Sequence, residues 1–122
     1  MNKMRLLAAA LILTTSTLAT IQPASAHPVP NPANPCVAAI RRVFPPALQA
    51  RAIAISYRES RWTETARNKI RTRLGHAEGC MQVLTGVARN VGAKCDQKWA
   101  ICNVLTSWNL YKKQGWRPWA VR

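Results

Sequence analysis

The stretch Ala47–Trp62, ALQARAIAISYRESRW, decides how the rest of the chain is read. Read as a helix, it carries Leu48, Ala52 and Ile55 at i, i+4 and i+7 on one apolar stripe. The next position on that stripe, i+11, is Glu59, whereas Arg51 and Arg58 fall on a different side. A lone carboxylate therefore closes a core-facing row where the helix should stop. Desolvation at a core edge favours the protonated form of a carboxylate. A protonated Glu in such a place is what a general acid for glycoside cleavage needs.

Outward from this stretch, charge narrows the chemistry. Among 122 residues, Lys and Arg number 18 against four Asp and Glu, a net charge of +14. Such a surface seeks polyanions: nucleic acid, anionic lipid or an anionic cell wall. The acids are Glu59, Glu64, Glu78 and Asp96, too few for a mechanism built on several acidic metal ligands, and no metal or cofactor is expected. The two histidines are His27, in a proline-rich tail, and His76, which is internal. A nuclease needing two histidines in one site is disfavoured by that placement.

Residues 1–26 read as a secretory leader. Met1 to Arg5 is short and basic, Leu6 to Leu13 is apolar, and Ala24-Ser25-Ala26 is a small-x-small cleavage site. The Thr/Ser run from Thr14 shortens the apolar segment below what a membrane anchor needs. Loss of Lys3 and Arg5 with the leader leaves a mature chain of about 96 residues and a net charge of about +12. Export places Cys36, Cys80, Cys95 and Cys102 in an oxidising compartment, and an even count in a short secreted chain predicts two disulfides. Three pairings are open. Zinc is the weaker alternative, because no Cys-x-x-Cys pair is present.

Residues 27–35, HPVPNPANP, form an extended linker, and residues 36–122 form one domain. Cys36–Phe44 fits a short helix ended by Pro45-Pro46, and Pro46 opens the next helix. Thr63–Gly79 shows no period and reads as a long irregular loop, of the kind that often contributes to a site. Cys80–Val91 is expected to begin extended and continue as a helix that stops at Gly92. Asp96–Gln114 reads as the best-defined helix, capped by Asp96 and ended by Gly115. Its expected buried stripe is Ile101, Val104, Leu105, Trp108 and Tyr111. With strand-like alternation nearly absent, the fold class is mostly α.

Three stretches in order resemble one family: Ala52–Trp62 with its Glu59-Ser60 pair, Gly79-Cys80-Met81-Gln82, and Asp96–Trp119 with Asn103 near the helix start. The resemblance is to the lysozyme-like lytic transglycosylase domain of the soluble lytic transglycosylase type, including its small secreted actinobacterial and phage forms. It implies a small lysozyme-like helical domain. It also implies that Glu59 protonates the oxygen between N-acetylmuramic acid and N-acetylglucosamine, then takes the proton of the sugar's own 6-hydroxyl to close a 1,6-anhydro ring. Ser60 would lie near the reacting sugar, or be an ordinary serine at a helix end. Met81 and Gln82 would line the cleft, Met81 alternatively belonging to the core. Asn103 would tie its helix to the catalytic one.

This chain departs from the family pattern in three ways. The turn before Met81-Gln82 reads Gly75-His76-Ala77-Glu78-Gly79, and Cys80 stands where leucine is usual. The downstream Tyr-Asn pair of larger members is missing, leaving Tyr57 or Tyr111 to hold Glu59. Glu78 is a candidate second carboxylate, which would direct the outcome to hydrolysis by water. Among the tryptophans, Trp62 is the expected cleft wall, Trp108 is core, and Trp116 and Trp119 lid the helix ends or touch sugar. The expected function is a secreted, monomeric, peptidoglycan-cleaving enzyme whose partners are glycan strands and anionic cell-wall polymers. The alternatives are a muramidase-type hydrolase, a non-catalytic cationic wall or membrane binder, and a nucleic-acid binder, the last disfavoured for an exported, cross-linked chain.

Overall fold

A computed structural model describes residues 28–120, so the leader reading and His27 lie outside the described residues. Among the described residues four helices carry the structure: α1 (Pro35–Val43), α2 (Pro46–Ser60), α3 (Thr85–Asn90) and α4 (Ala100–Gln114). Two short strands, β1 (Ala77–Glu78) and β2 (Val83–Leu84), pair antiparallel, and a 3-10 turn spans Arg117–Trp119. About half of the described residues are helical, so the chain is mostly α.

Local chemistry explains the first two helices. Asn34 caps α1: its side-chain oxygen accepts from the N–H groups of Cys36 at 2.9 Å and Val37 at 3.3 Å. The linker therefore ends at Asn34, and Pro35, read from sequence as its last residue, opens α1. Phe44 is extended at φ −80°, ψ 141°, as a residue before proline is driven to be. Pro46 then starts α2, whose buried face carries Ala52, Ile53, Ile55, Ser56 and Ser60. The core joins α1 (Cys36, Val37, Ile40), Phe44, this face of α2, Met81, Val83, and Val104 and Leu110 of α4.

Helix α4 differs from its sequence reading. It begins at Ala100, and Asp96 instead accepts from the Lys98 N–H in the preceding turn. The Ala100 N–H is met by the carboxylate of Glu64 at 3.2 Å, from a loop 36 residues upstream. A negative charge at that end also interacts favourably with the positive end of the helix dipole. Leu105 is 46% exposed, and Ile101, Trp108 and Tyr111 are only partly buried. The inward face is more polar: Cys102, Asn103, Val104, Thr106, Ser107 and Leu110. Thr106 and Ser107 can occupy it because their hydroxyls donate to the carbonyls of Cys102 and Asn103, each at 2.8 Å.

The cysteines pair as Cys36–Cys80 and Cys95–Cys102. Two disulfides fit an oxidising, extracytoplasmic compartment. The first fastens the start of α1 to the turn between the strands. The second brackets the approach to α4. Residues 63–79 are a long loop whose returning limb is stitched by main-chain bonds, Asn68 N–H to Ala77 O at 2.9 Å and Gly79 N–H to Ala66 O at 2.8 Å.

Candidate active-site cleft

Glu59 stands on the last turn of α2, with its side chain 29% exposed at the edge of the core. It faces a cleft of about 240 Å³. Gln82 lines the same cleft, with Ala77 and Leu84 from the two strands and Asn68, Ile70 and Thr72 from the long loop. Glu59 is the sole carboxylate among these lining residues.

Helix α2 and the turn carrying Gln82 are held in register by buried hydrogen bonds. The Cys80 carbonyl accepts from the hydroxyls of Ser56 at 2.9 Å and Ser60 at 2.8 Å. Ser60 also lies 3.0 Å from the Ser56 carbonyl and is 8% exposed. Its position beside Glu59 in sequence thus aligns the helix end on the turn, and its hydroxyl is directed at main-chain carbonyls rather than at the cleft. Met81 is fully buried, so its side chain belongs to the core. Its N–H donates to Asn103 Oδ1 at 2.7 Å, and its carbonyl accepts from the Trp119 indole at 2.8 Å. Asn103 is itself fully buried; its Nδ2 donates to the Glu78 carbonyl and to Gln97 Oε1, both at 3.0 Å. It therefore ties α4 to the turn and, through the turn, to α2. The Gln82 side chain is oriented by its own amide nitrogen, which donates to the carbonyls of Ala66 and Gly79 at 3.0 Å each.

Backbone conformation marks the same region. Among the described residues, Arg61, Trp62 and Gln82 are the non-glycine residues at positive φ, at 53°, 57° and 50°. Such conformations cost about 1–3 kcal/mol each and cluster where a site is assembled. Two of them reverse the chain directly after Glu59-Ser60, and the third presents Gln82.

That reversal sets the place of Trp62. Its indole swings back along α2 and donates to the Ile53 carbonyl at 2.9 Å, with the Tyr57 ring 4.8 Å away. It lines a separate apolar pocket with Ile53 and Pro28–Pro30, so the expectation that it walls the Glu59 cleft is corrected. Glu78, the candidate second carboxylate, does not line the cleft; it pairs with Arg67 at 3.3 Å. Tyr111 packs among Phe44, Trp108 and Trp116. Arg58 donates to Glu59 Oε1 from Nη2 at 3.0 Å and from Nε at 3.3 Å, and also to the Trp119 carbonyl. Sequence reading missed Arg58, Asn68, Thr72, Gln97 and the brace from Trp119. The unpatterned stretch from Thr63 to Gly79 was the one signal that pointed to the loop residues.

Comparison with protein-family models, curated proteins and solved structures finds no match to this chain.

Proposed function

We propose that this chain is a secreted, lysozyme-like enzyme that cleaves the β-1,4 bond between N-acetylmuramic acid and N-acetylglucosamine in peptidoglycan, acting as a lytic transglycosylase. The observation that carries the reading is that Glu59 and Gln82, 23 residues apart in sequence, line one cleft beneath an ordered loop. Glu59 acts first as acid, giving its proton to the glycosidic oxygen. It then acts as base on the 6-hydroxyl of the same sugar, whose oxygen closes the 1,6-anhydro ring at the anomeric carbon. One carboxylate suffices for that route.

A hydrolase of the usual two-carboxylate kind would need a second acid facing the same bond. The engagement of Glu78 with Arg67, outside the lining of the cleft, favours the single-acid route. For Glu59 to reach substrate, Arg58 must yield its hold on Oε1. That exchange is inexpensive, because an ion pair still partly exposed to water contributes only about 0–1 kcal/mol.

The test is the chemistry of the product ends. Mature protein incubated with purified peptidoglycan should release muropeptides ending in 1,6-anhydro sugar, read by mass. Glu59→Gln should abolish release and leave sedimentation with the wall unchanged. Reducing ends would convert the reading to a hydrolase. Undiminished release by the variant would remove Glu59 from the mechanism.

A further inference from the structure

Next to Glu59, Arg51 and Arg58 stand two turns apart on α2, beside Ile55 at the edge of its buried face. The C-terminal turn brings Trp116, Arg117, Trp119 and Ala120 against them, closing a pocket of about 300 Å³. Among the described residues, three arginines line this pocket and no Asp or Glu does. Arg58 is partly neutralised by Glu59. Arg51 sits over the Trp116 ring, 5.3 Å from its centroid. Among the described residues neither Arg51 nor Arg117 forms an ion pair.

Cations gathered into one concavity repel each other and focus a positive potential there, and an anion relieves the repulsion. Guanidinium groups match the oxygens of a phosphate in a two-pronged fork, so several of them together select that group. The aromatic wall narrows the choice of polymer. Trp116 has Phe44 stacked at 5.9 Å and 9°, Tyr111 at 4.5 Å, Trp119 at 6.1 Å, and Arg51 above it. Trp119 is 5% exposed. Neither ring offers the open face on which a nucleobase stacks. The edge of the partly buried Trp116 ring instead presents apolar surface to the C–H groups of a polyol or sugar.

We propose that this pocket binds the phosphate of a phosphodiester-linked polyol or sugar polymer, the kind of anionic polymer that accompanies a cell wall. The proposal requires no chemistry at Glu59, so it stands or falls apart from the cleavage reading.

The experiment is titration calorimetry of the mature protein with a short poly(glycerol phosphate), paired with indole N–H shifts of Trp116. Inorganic phosphate serves as competitor. A single-stranded oligonucleotide of equal phosphate number and a poly-glutamate serve as the other arms. Replacing Arg51 and Arg117 together by Gln should weaken poly(glycerol phosphate) binding at least about tenfold, the loss of two charge-assisted contacts. Replacing the exposed Lys94 and Lys98 together by Gln removes the same charge away from the pocket and should cost less than about threefold. Equal losses in the two double variants would reduce the effect to net charge and overturn the proposal. So would an oligonucleotide or poly-glutamate that binds as tightly and is equally sensitive to the Arg51/Arg117 pair. Thermal melts of both variants, expected to match wild type, keep a folding defect from mimicking either result.

Discussion

Ser60 has one hydroxyl proton and two buried carbonyls within reach, and it spends that proton on joining α2 to the turn that presents Gln82. Ser60→Ala should cost about 1 kcal/mol. For a domain of this size that lowers the melting midpoint by roughly 4–8 °C. Its effect on muropeptide release should exceed what that loss of folded protein explains, because Glu59 sits one residue away; a rate that falls only with the folded fraction would argue against this role. Asn103 carries more. Its removal takes the acceptor from the Met81 N–H and one donor from the Glu78 carbonyl, which keeps its strand pairing to Val83. Asn103→Ala should therefore destabilise by about 3 kcal/mol, read by urea titration, with Asn103→Asp recovering little, since a carboxylate cannot donate to the Glu78 carbonyl.

At the scale of elements, the turn from Gly79 to Gln82 is tied to four other parts of the fold. It is held by a disulfide to α1, serine hydroxyls from α2, an amide from α4 and an indole from the C-terminal turn. Gly79 is at φ 80°, and a Cβ there would overlap the Gln97 carbonyl and the Asn103 amide. Helix α4 depends in the same way on a distant residue. Glu64→Ala removes the acceptor at its first N–H and should cost about 1 kcal/mol, measured by chemical denaturation, with the loss shrinking as salt is raised. These elements also separate what was legible in the sequence from what was not. Proline punctuation and the apolar period placed α1 and α2 to within a residue, and Gly115 ended α4 as read. The start of α4 was misread because Asp96 is a good local cap, whereas the acceptor used comes from 36 residues away. Leu105 was placed inside by its hydrophobicity, but the interior there is claimed by Asn103, whose partners lie on another element. Trp62 was misplaced because positive φ at two non-glycine residues leaves no compositional trace. Glu59 and Gln82 each belong to a short local pattern, and the fold brings the two to one cleft.

For the whole molecule, stability rests heavily on the cross-links. Closing 44 residues between Cys36 and Cys80 is worth about 4 kcal/mol by chain entropy, against about 2 kcal/mol for the seven between Cys95 and Cys102. A domain this small has a total of only about 5–10 kcal/mol to lose. Replacing Cys36 and Cys80 together by Ser should therefore leave a barely folded chain at 37 °C, while replacing Cys95 and Cys102 should shift the melt without abolishing it; calorimetry distinguishes the two. The Cys36–Cys80 bond also decides how a pull would travel. Tension applied upstream of Cys36 crosses the sulfur bridge directly to Cys80, leaving α1, α2 and Glu59 off the load path. Stretching the molecule between its ends should therefore hide roughly 170 Å of contour length until a reductant is added, about 150 Å of it behind Cys36–Cys80.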